Sequence, residues 1–134
     1  MNSNRDITYK YLQGKFGMVS TSVLDEILAS DYKEHQPSVT RGINEVKEFA
    51  VKLTKAFTNQ IFTVQDEILK NDKVVFRYSW HAIHTYQFMD WQATNKEVST
   101  QGIIIARVKN GKIAEIWEEW DFGRNGILQD FVDS

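Results

Sequence analysis

The sequence predicts an α+β fold, helices first and a mostly antiparallel sheet after them, and three observations predict it. Apolar residues recur at spacings of three and four as far as Phe57. Beyond Asn59 the pattern changes to extended runs rich in β-branched and aromatic residues. Asn110-Gly111 then separates two such runs, the strongest short-range signal for a hairpin.

The first helix is expected to begin at a capping Ser3 or Asn4, with Leu12, Phe16 and Val19 as its apolar stripe. A second, short helix starts at Ser22 and turns Leu24, Ile27 and Leu28 to one side. The single proline, Pro37, disfavours helix at Gln36, so the segment "SDYKEHQPSVTRG" reads as a loop carrying His35. A third helix follows from about Ile43 to Phe57, with Ile43, Val46, Phe49, Ala50, Leu53 and Phe57 on one face. The two extended runs that come next meet at Asn71-Asp72, residue types that accept the left-handed conformation of a tight turn. The last pair of strands meets at Asn110-Gly111.

Composition narrows the function classes. At 134 residues the chain is expected to form one domain, residues 1–134, around a single core. A net charge of -2 offers no global field for nucleic acid or an anionic membrane, so neither is expected as a partner. The absence of cysteine removes disulfides, thiol nucleophiles and thiolate metal sites together. The polar start "MNSNRDITYK" resembles neither a signal peptide nor a spanning helix, so a cytoplasmic protein is the expectation. Neither His-x-His nor His-Glu-x-x-His occurs, so no metal is expected, and Gly14 and Gly17 fit no phosphate loop.

The acids of "KNGKIAEIWEEWDFGRNGILQDF" raise the functional question, because a carboxylate facing an apolar interior must be paired or shifted in pKa. In a regular hairpin Lys109 pairs with Lys112, Ala106 with Glu115, Ile104 with Trp117 and Gly102 with Glu119. One face then carries Glu115, Trp117, Glu119 and Asp121 beside Ile104 and the small Gly102 and Ala106, the composition of a ligand pocket. The other carries Ile116, Glu118 and Trp120 beside Ile103, Ile105 and Arg107. Both faces are apolar enough to need a cover, one from the helices and the other from a second copy of the chain. A solvent-facing edge for Glu115 and Glu119, and a capping role for Asp121, are the competing readings.

The segments "DYKEHQP", "RGINEVKEFAVKLTKAFTNQ" and "GKIAEIWEEWDFGRNGILQ" resemble the SnoaL-like polyketide cyclases, relatives of ketosteroid isomerase in the nuclear-transport-factor-like superfamily. The marks are Tyr32 and His35, Gly42, Ala56-Phe57, Arg77, His84, Gly111-Lys112-Ile113, Glu115, Trp117, Asp121, Gly126 and Gln129, in that order. The resemblance implies a cone whose curved sheet wraps a pocket closed by helices, a homodimer through the sheet's outer face, and a cofactor-free intramolecular aldol closure. It implies Asp121 as the general acid/base on a small apolar carbonyl-bearing molecule. His84 and His35 are the candidate partners in proton transfer, and Trp117, Glu119, Tyr78, Trp80, Ile104 and Phe57 the candidate lining. The Glu119 position is usually apolar in the family, and Tyr86 stands where a glycine commonly follows the family's histidine. A binding protein that holds the same ligand without turning it over is one alternative. Another is a hydrolase or isomerase, such as an epoxide hydrolase, that positions water with a paired carboxylate and arginine.

Overall fold

Ser3 opens the chain's first helix because its side chain accepts the Asp6 amide at 3.1 Å, satisfying a donor that the first turn leaves free. In the computed structural model, which describes residues 3–37 and 39–120, α1 spans Asn4–Lys15, α2 Val23–Ile27 and α3 Ile43–Ala56. The strands are β1 Leu28–Gln36, β2 Val39–Arg41, β3 Phe57–Lys70, β4 Lys73–His84, β5 Glu97–Lys109 and β6 Lys112–Trp120. They form one sheet in the order β2-β1-β6-β5-β4-β3, antiparallel except for the parallel pair β1 and β6. This is the expected α+β architecture, a curved sheet with the helices laid against one face.

The helices cover the sheet with the faces their spacing assigns. Val46, Phe49, Ala50, Leu53 and Ala56 of α3 are buried, as are Ile7, Tyr11, Leu12 and Phe16 around α1. Against them lie Phe76, Tyr78 and Trp80 of β4, Ile104 and Ala106 of β5 and Ile116 of β6. Burying each large side chain contributes about 1.5–3 kcal/mol, so the core fixes the helices to one side of the sheet. Among the described residues no helix is long and apolar enough to cross a membrane.

Three local expectations are corrected. Val19 lies beyond α1 and is exposed, because the helix ends at Lys15 and Gly17 takes φ +76°. The segment expected as a loop is mostly strand: β1 runs to Gln36, so His35 is a strand residue beside Trp117 of β6. The third correction is the register of the last hairpin. The turn forms as expected, with Asn110 and Gly111 both at positive φ and Lys109 opposite Lys112. One step later, however, Val108 pairs with Ile113 and Arg107 with Glu115, leaving Ala114 as an extra residue in β6. That β-bulge puts Ala106 opposite Ile116 and Ile104 opposite Glu118, so every later residue of β6 faces the side opposite to a regular hairpin.

Candidate active site

With the strand phase changed, Glu118 points into the interior, where it meets three other elements. Tyr11 and Lys15 are one helical turn apart on α1, and Tyr32 and Glu34 alternate inward on β1. Tyr78 of β4 completes the ring of side chains. Lys15, Glu34 and Glu118 are fully enclosed, at 0%, 0% and 1% exposure. Lys15 Nζ donates to Glu34 Oε1 at 2.6 Å and to Glu118 Oε1, and Tyr78 Oη donates to the other oxygen of Glu118. Tyr11 Oη donates to Glu34 Oε1 at 3.0 Å and Tyr32 Oη to Tyr11 Oη at 3.1 Å. At the rim, Arg41 Nη1 donates to Glu34 Oε2 at 3.2 Å while its guanidinium lies over the Phe49 ring, 4.4 Å from the centroid. The rings of Tyr11, Phe49 and Trp120 surround Lys15 Nζ at 5.8, 5.6 and 5.6 Å.

The two carboxyls differ because their surroundings do. Burial alone would raise Glu34, but the Lys15 and Arg41 charges and their hydrogen bonds outweigh it and hold Glu34 at about 2. For Glu118, burial and the like charge of Glu34 outweigh Lys15 and Tyr78, so its carboxyl is less acidic than an ordinary glutamate. Burial would lower Lys15, yet Glu118 and Glu34 raise it, so the ammonium persists. Burial, with Glu34 beside them, lifts Tyr11 and Tyr32 well above the usual phenol, keeping both as neutral donors. A pair of carboxyls pushed apart in acidity is an arrangement suited to acid/base work.

The residues expected from the sequence divide between the two faces. Tyr78, Trp80, Ile104, Phe57 and His84 are buried on the inner side. His84 stacks on Phe57 with centroids 5.0 Å apart, its Nδ1 lies 3.2 Å from Thr94 Oγ1, and burial moves its pKa below the ordinary histidine value. Tyr78, six residues before His84 on β4, is the expected lining residue that enters the charged cluster. Trp117, Glu119 and His35, expected in the pocket, stand on the outer face instead, because the bulge at Ala114 re-phases β6 and His35 pairs with Trp117 in parallel. There His35 Nε2 lies 2.6 Å from Glu115 Oε2, and Arg107 Nη2 donates to Glu115 Oε1 at 3.2 Å. Partial burial works against it, but the His35 and Arg107 hydrogen bonds hold Glu115 below the usual carboxylate range. The His35 and Trp117 rings stack 5.6 Å apart, and Trp117 also lines a groove with Ile68, Val75 and Ile105. Asp121 lies outside the described residues.

Glu118, read from the sequence as facing the other side, was not among the residues expected at the site, nor were Lys15, Glu34, Tyr11 and Arg41. A signal for three of them exists: Tyr11 and Lys15 are four apart on a helix, and Glu34 shares strand parity with Tyr32. Among the described residues no group of three or more His, Asp or Glu is gathered in a way that could hold a metal ion.

Three solved structures show how widely this architecture is shared. AclR from Streptomyces galilaeus superposes with a TM-score of 0.83 at 19% identity, covering 98% of this chain and 84% of its own. IdmH from Streptomyces antibioticus gives 0.75 at 22% identity over 90% of this chain and 93% of its own. A SnoaL-like polyketide cyclase from Agrobacterium tumefaciens gives 0.73 at 15% identity over 97% and 98%. At these identities the likeness is one of fold. No curated protein matches the chain in sequence. The model of one family does match, over residues 16–125, most of the length and all of β1 to β6, and by that match the chain belongs to the SnoaL-like polyketide cyclases.

Proposed function

We propose that the protein is a cofactor-independent acid/base enzyme that closes or enolises a small, apolar, carbonyl-bearing molecule. In this reading Asp121, the aspartate implied by the family resemblance, takes a proton from carbon beside a carbonyl, and Glu118 delivers a proton to oxygen. For aldol closure, the C–H pair forms the new C–C bond and the second carbonyl becomes an alkoxide. The alkoxide takes the Glu118 proton, Asp121 gives its proton to solvent and Glu118 takes one back, so the net change is a proton moved from carbon to oxygen. One observation carries the reading: a fully enclosed carboxyl, held by Tyr78 and Lys15, whose proton affinity is raised above that of an ordinary glutamate. Tyr78, Trp80, Ile104, Phe57 and His84 supply an apolar wall that suits the substrate class. Two copies are proposed to pair through the outer face, where Ile103 is 49% and Trp117 37% exposed.

The test is exchange of the α-protons of 1,3-diketones into deuterated water, followed by proton NMR. The native protein is expected to accelerate exchange, and Glu118→Gln and Asp121→Asn each to lower the rate by about 10²- to 10⁴-fold. Unchanged exchange in both variants overturns the assignment of the groups. Saturable diketone binding without exchange by the native protein would instead identify a ligand-binding protein.

Hydrolysis of an epoxide is the second reading, and one arrangement favours it: an ammonium set between two carboxyls of opposite acidity. The ionised Glu34 is the carboxyl able to orient a water and the less acidic Glu118 the one able to protonate the opening oxygen. Incorporation of ¹⁸O from labelled water into a diol product, with no diketone exchange, selects this chemistry.

A further inference from the structure

Glu34 and Glu118 share the Lys15 ammonium, but their remaining partners are unequal. Glu34 also accepts from Arg41 Nη1 at 3.2 Å, Tyr11 Oη at 3.0 Å and Gln36 Nε2 at 3.3 Å. Among the described residues Glu118 has, besides Lys15 and the neighbouring Glu34 carboxyl, the Tyr78 hydroxyl. The titratable and charged groups facing Glu118 are Lys15 and Tyr11 from α1, Glu34 and Tyr32 from β1 and Tyr78 from β4, with Arg41 of β2 behind Glu34. From α3 comes the Phe49 ring, stacked under Arg41, and from β6 itself Trp120. Both cations of the cluster hydrogen-bond Glu34, and one of them reaches Glu118. Two buried carboxylates so close cannot be equally content as anions, and a proton entering the cluster settles where fewer donors compete for the oxygen lone pairs.

We infer that Glu34 is a positioning residue: without touching the substrate, it shares Lys15, holds Arg41 for itself, and by its own charge makes Glu118 the proton-carrying acid of the site. The inference rests on the proposal that Glu118 transfers the proton. The opposite directions in which the two carboxyls are moved agree with it. It also gives the cluster's five elements, α1, β1, β2, β4 and β6, a task beyond packing. Arg41 sits at the rim with 17% of its side chain exposed, so the interior charge pair is anchored to a cation that solvent can reach.

The experiment is a carbon NMR titration of the side-chain carboxyls in protein labelled at glutamate, with Glu118→Gln and Glu34→Gln assigning the two signals. In the native protein Glu34 is expected to titrate below Glu118, and the reverse order overturns the inference. In Glu34→Gln the like charge is gone and Lys15 serves Glu118 alone, so the Glu118 midpoint is expected to fall by about one unit or more. Glu34→Asp, which keeps the charge, is expected to restore most of the native midpoint. A role in packing alone would lower stability and leave the Glu118 midpoint where it was, which also overturns the inference. If diketone exchange is observed, its alkaline limb is expected to move down with the midpoint. If exchange is absent, the proposed reaction fails while the titration still decides the role of Glu34.

Discussion

Lys15→Met keeps most of the side chain's length and removes its charge, which isolates what the ammonium does. In the native fold that ammonium lies 2.6 Å from Glu34 and also donates to Glu118, with all three side chains enclosed. Removing one partner from a buried ion pair costs about 3–5 kcal/mol, because the other charge stays desolvated. The depression of Glu34 from 4.5 to about 2, the net of burial against Lys15 and Arg41 together, is of the same order: at ~1.4 kcal/mol per unit it is worth ~3 kcal/mol. A loss of that size is a large part of a domain's stability of about 5–15 kcal/mol, and corresponds to a fall in Tm of roughly 10–15 °C. The pH dependence makes the prediction sharper. A carboxyl whose folded pKa is depressed stabilises the fold above its unfolded value and loses that contribution as pH falls towards the folded one. For Glu34 the window runs from about 4.5 down to about 2. Urea unfolding followed by fluorescence is therefore expected to show a wide gap between native and variant at pH 7 that narrows progressively below pH 4.5. A deficit under about 1 kcal/mol, or one that is the same at pH 7 and pH 3, would refute the reasoning, since the Lys15 charge would then contribute little.

Two further perturbations probe the same architecture from other sides. A Cβ at Gly102 would stand 2.6 Å from Tyr78 Oη and 2.8 Å from Trp120 Cβ, so Gly102→Ala is expected to push Tyr78 off Glu118 and cost about 1–3 kcal/mol. A denaturant midpoint equal to the native one would show that the ring has room to move. Ile103→Glu places a charge on the outer face at a side chain already 49% exposed, so the fold is expected to persist while light scattering reports the monomer mass in place of the dimer's. A native protein that is itself monomeric at the same concentration sinks the proposed pairing.

The helices and hairpins were legible because each rests on a local rule. The α3 stripe from Val46 to Leu53 needs the 3.6-residue period, and the turn at Asn110-Gly111 needs residues that take positive φ, as both do. The site was less legible because it depends on phase and on distant partners. The bulge at Ala114 follows no residue type that marks it, since Ala114 and Ile113 are both apolar and both buried. Counting from the turn without it turns Glu118 outward and Trp117 and Glu119 inward. Lys15 and Glu34 were hidden for a different reason: each alone reads as a solvated surface charge, and 103 residues separate Lys15 from Glu118. A charge is enclosed only when its partner arrives from another element, which periodicity along one element does not report. His84 and Tyr78, by contrast, follow the alternation of β4 and face inward as that alternation requires.

The bulge in β6 also bears on which length changes the chain tolerates. At Ala114 the strand carries one residue of slack, two residues standing opposite one. Loss of a residue at that point lets the ladder close regularly, and Glu115, Ile116 and Glu118 keep the sides they have now. Loss of a residue two or three places further on has no slack to absorb it: the remainder of the strand rotates by half a turn, Glu118 leaves Lys15, and a neighbouring side chain is driven into the vacated space. Among family members that differ in length along this strand, a gap at the bulge therefore preserves the buried acid, and a gap beyond it exchanges the acid for another residue.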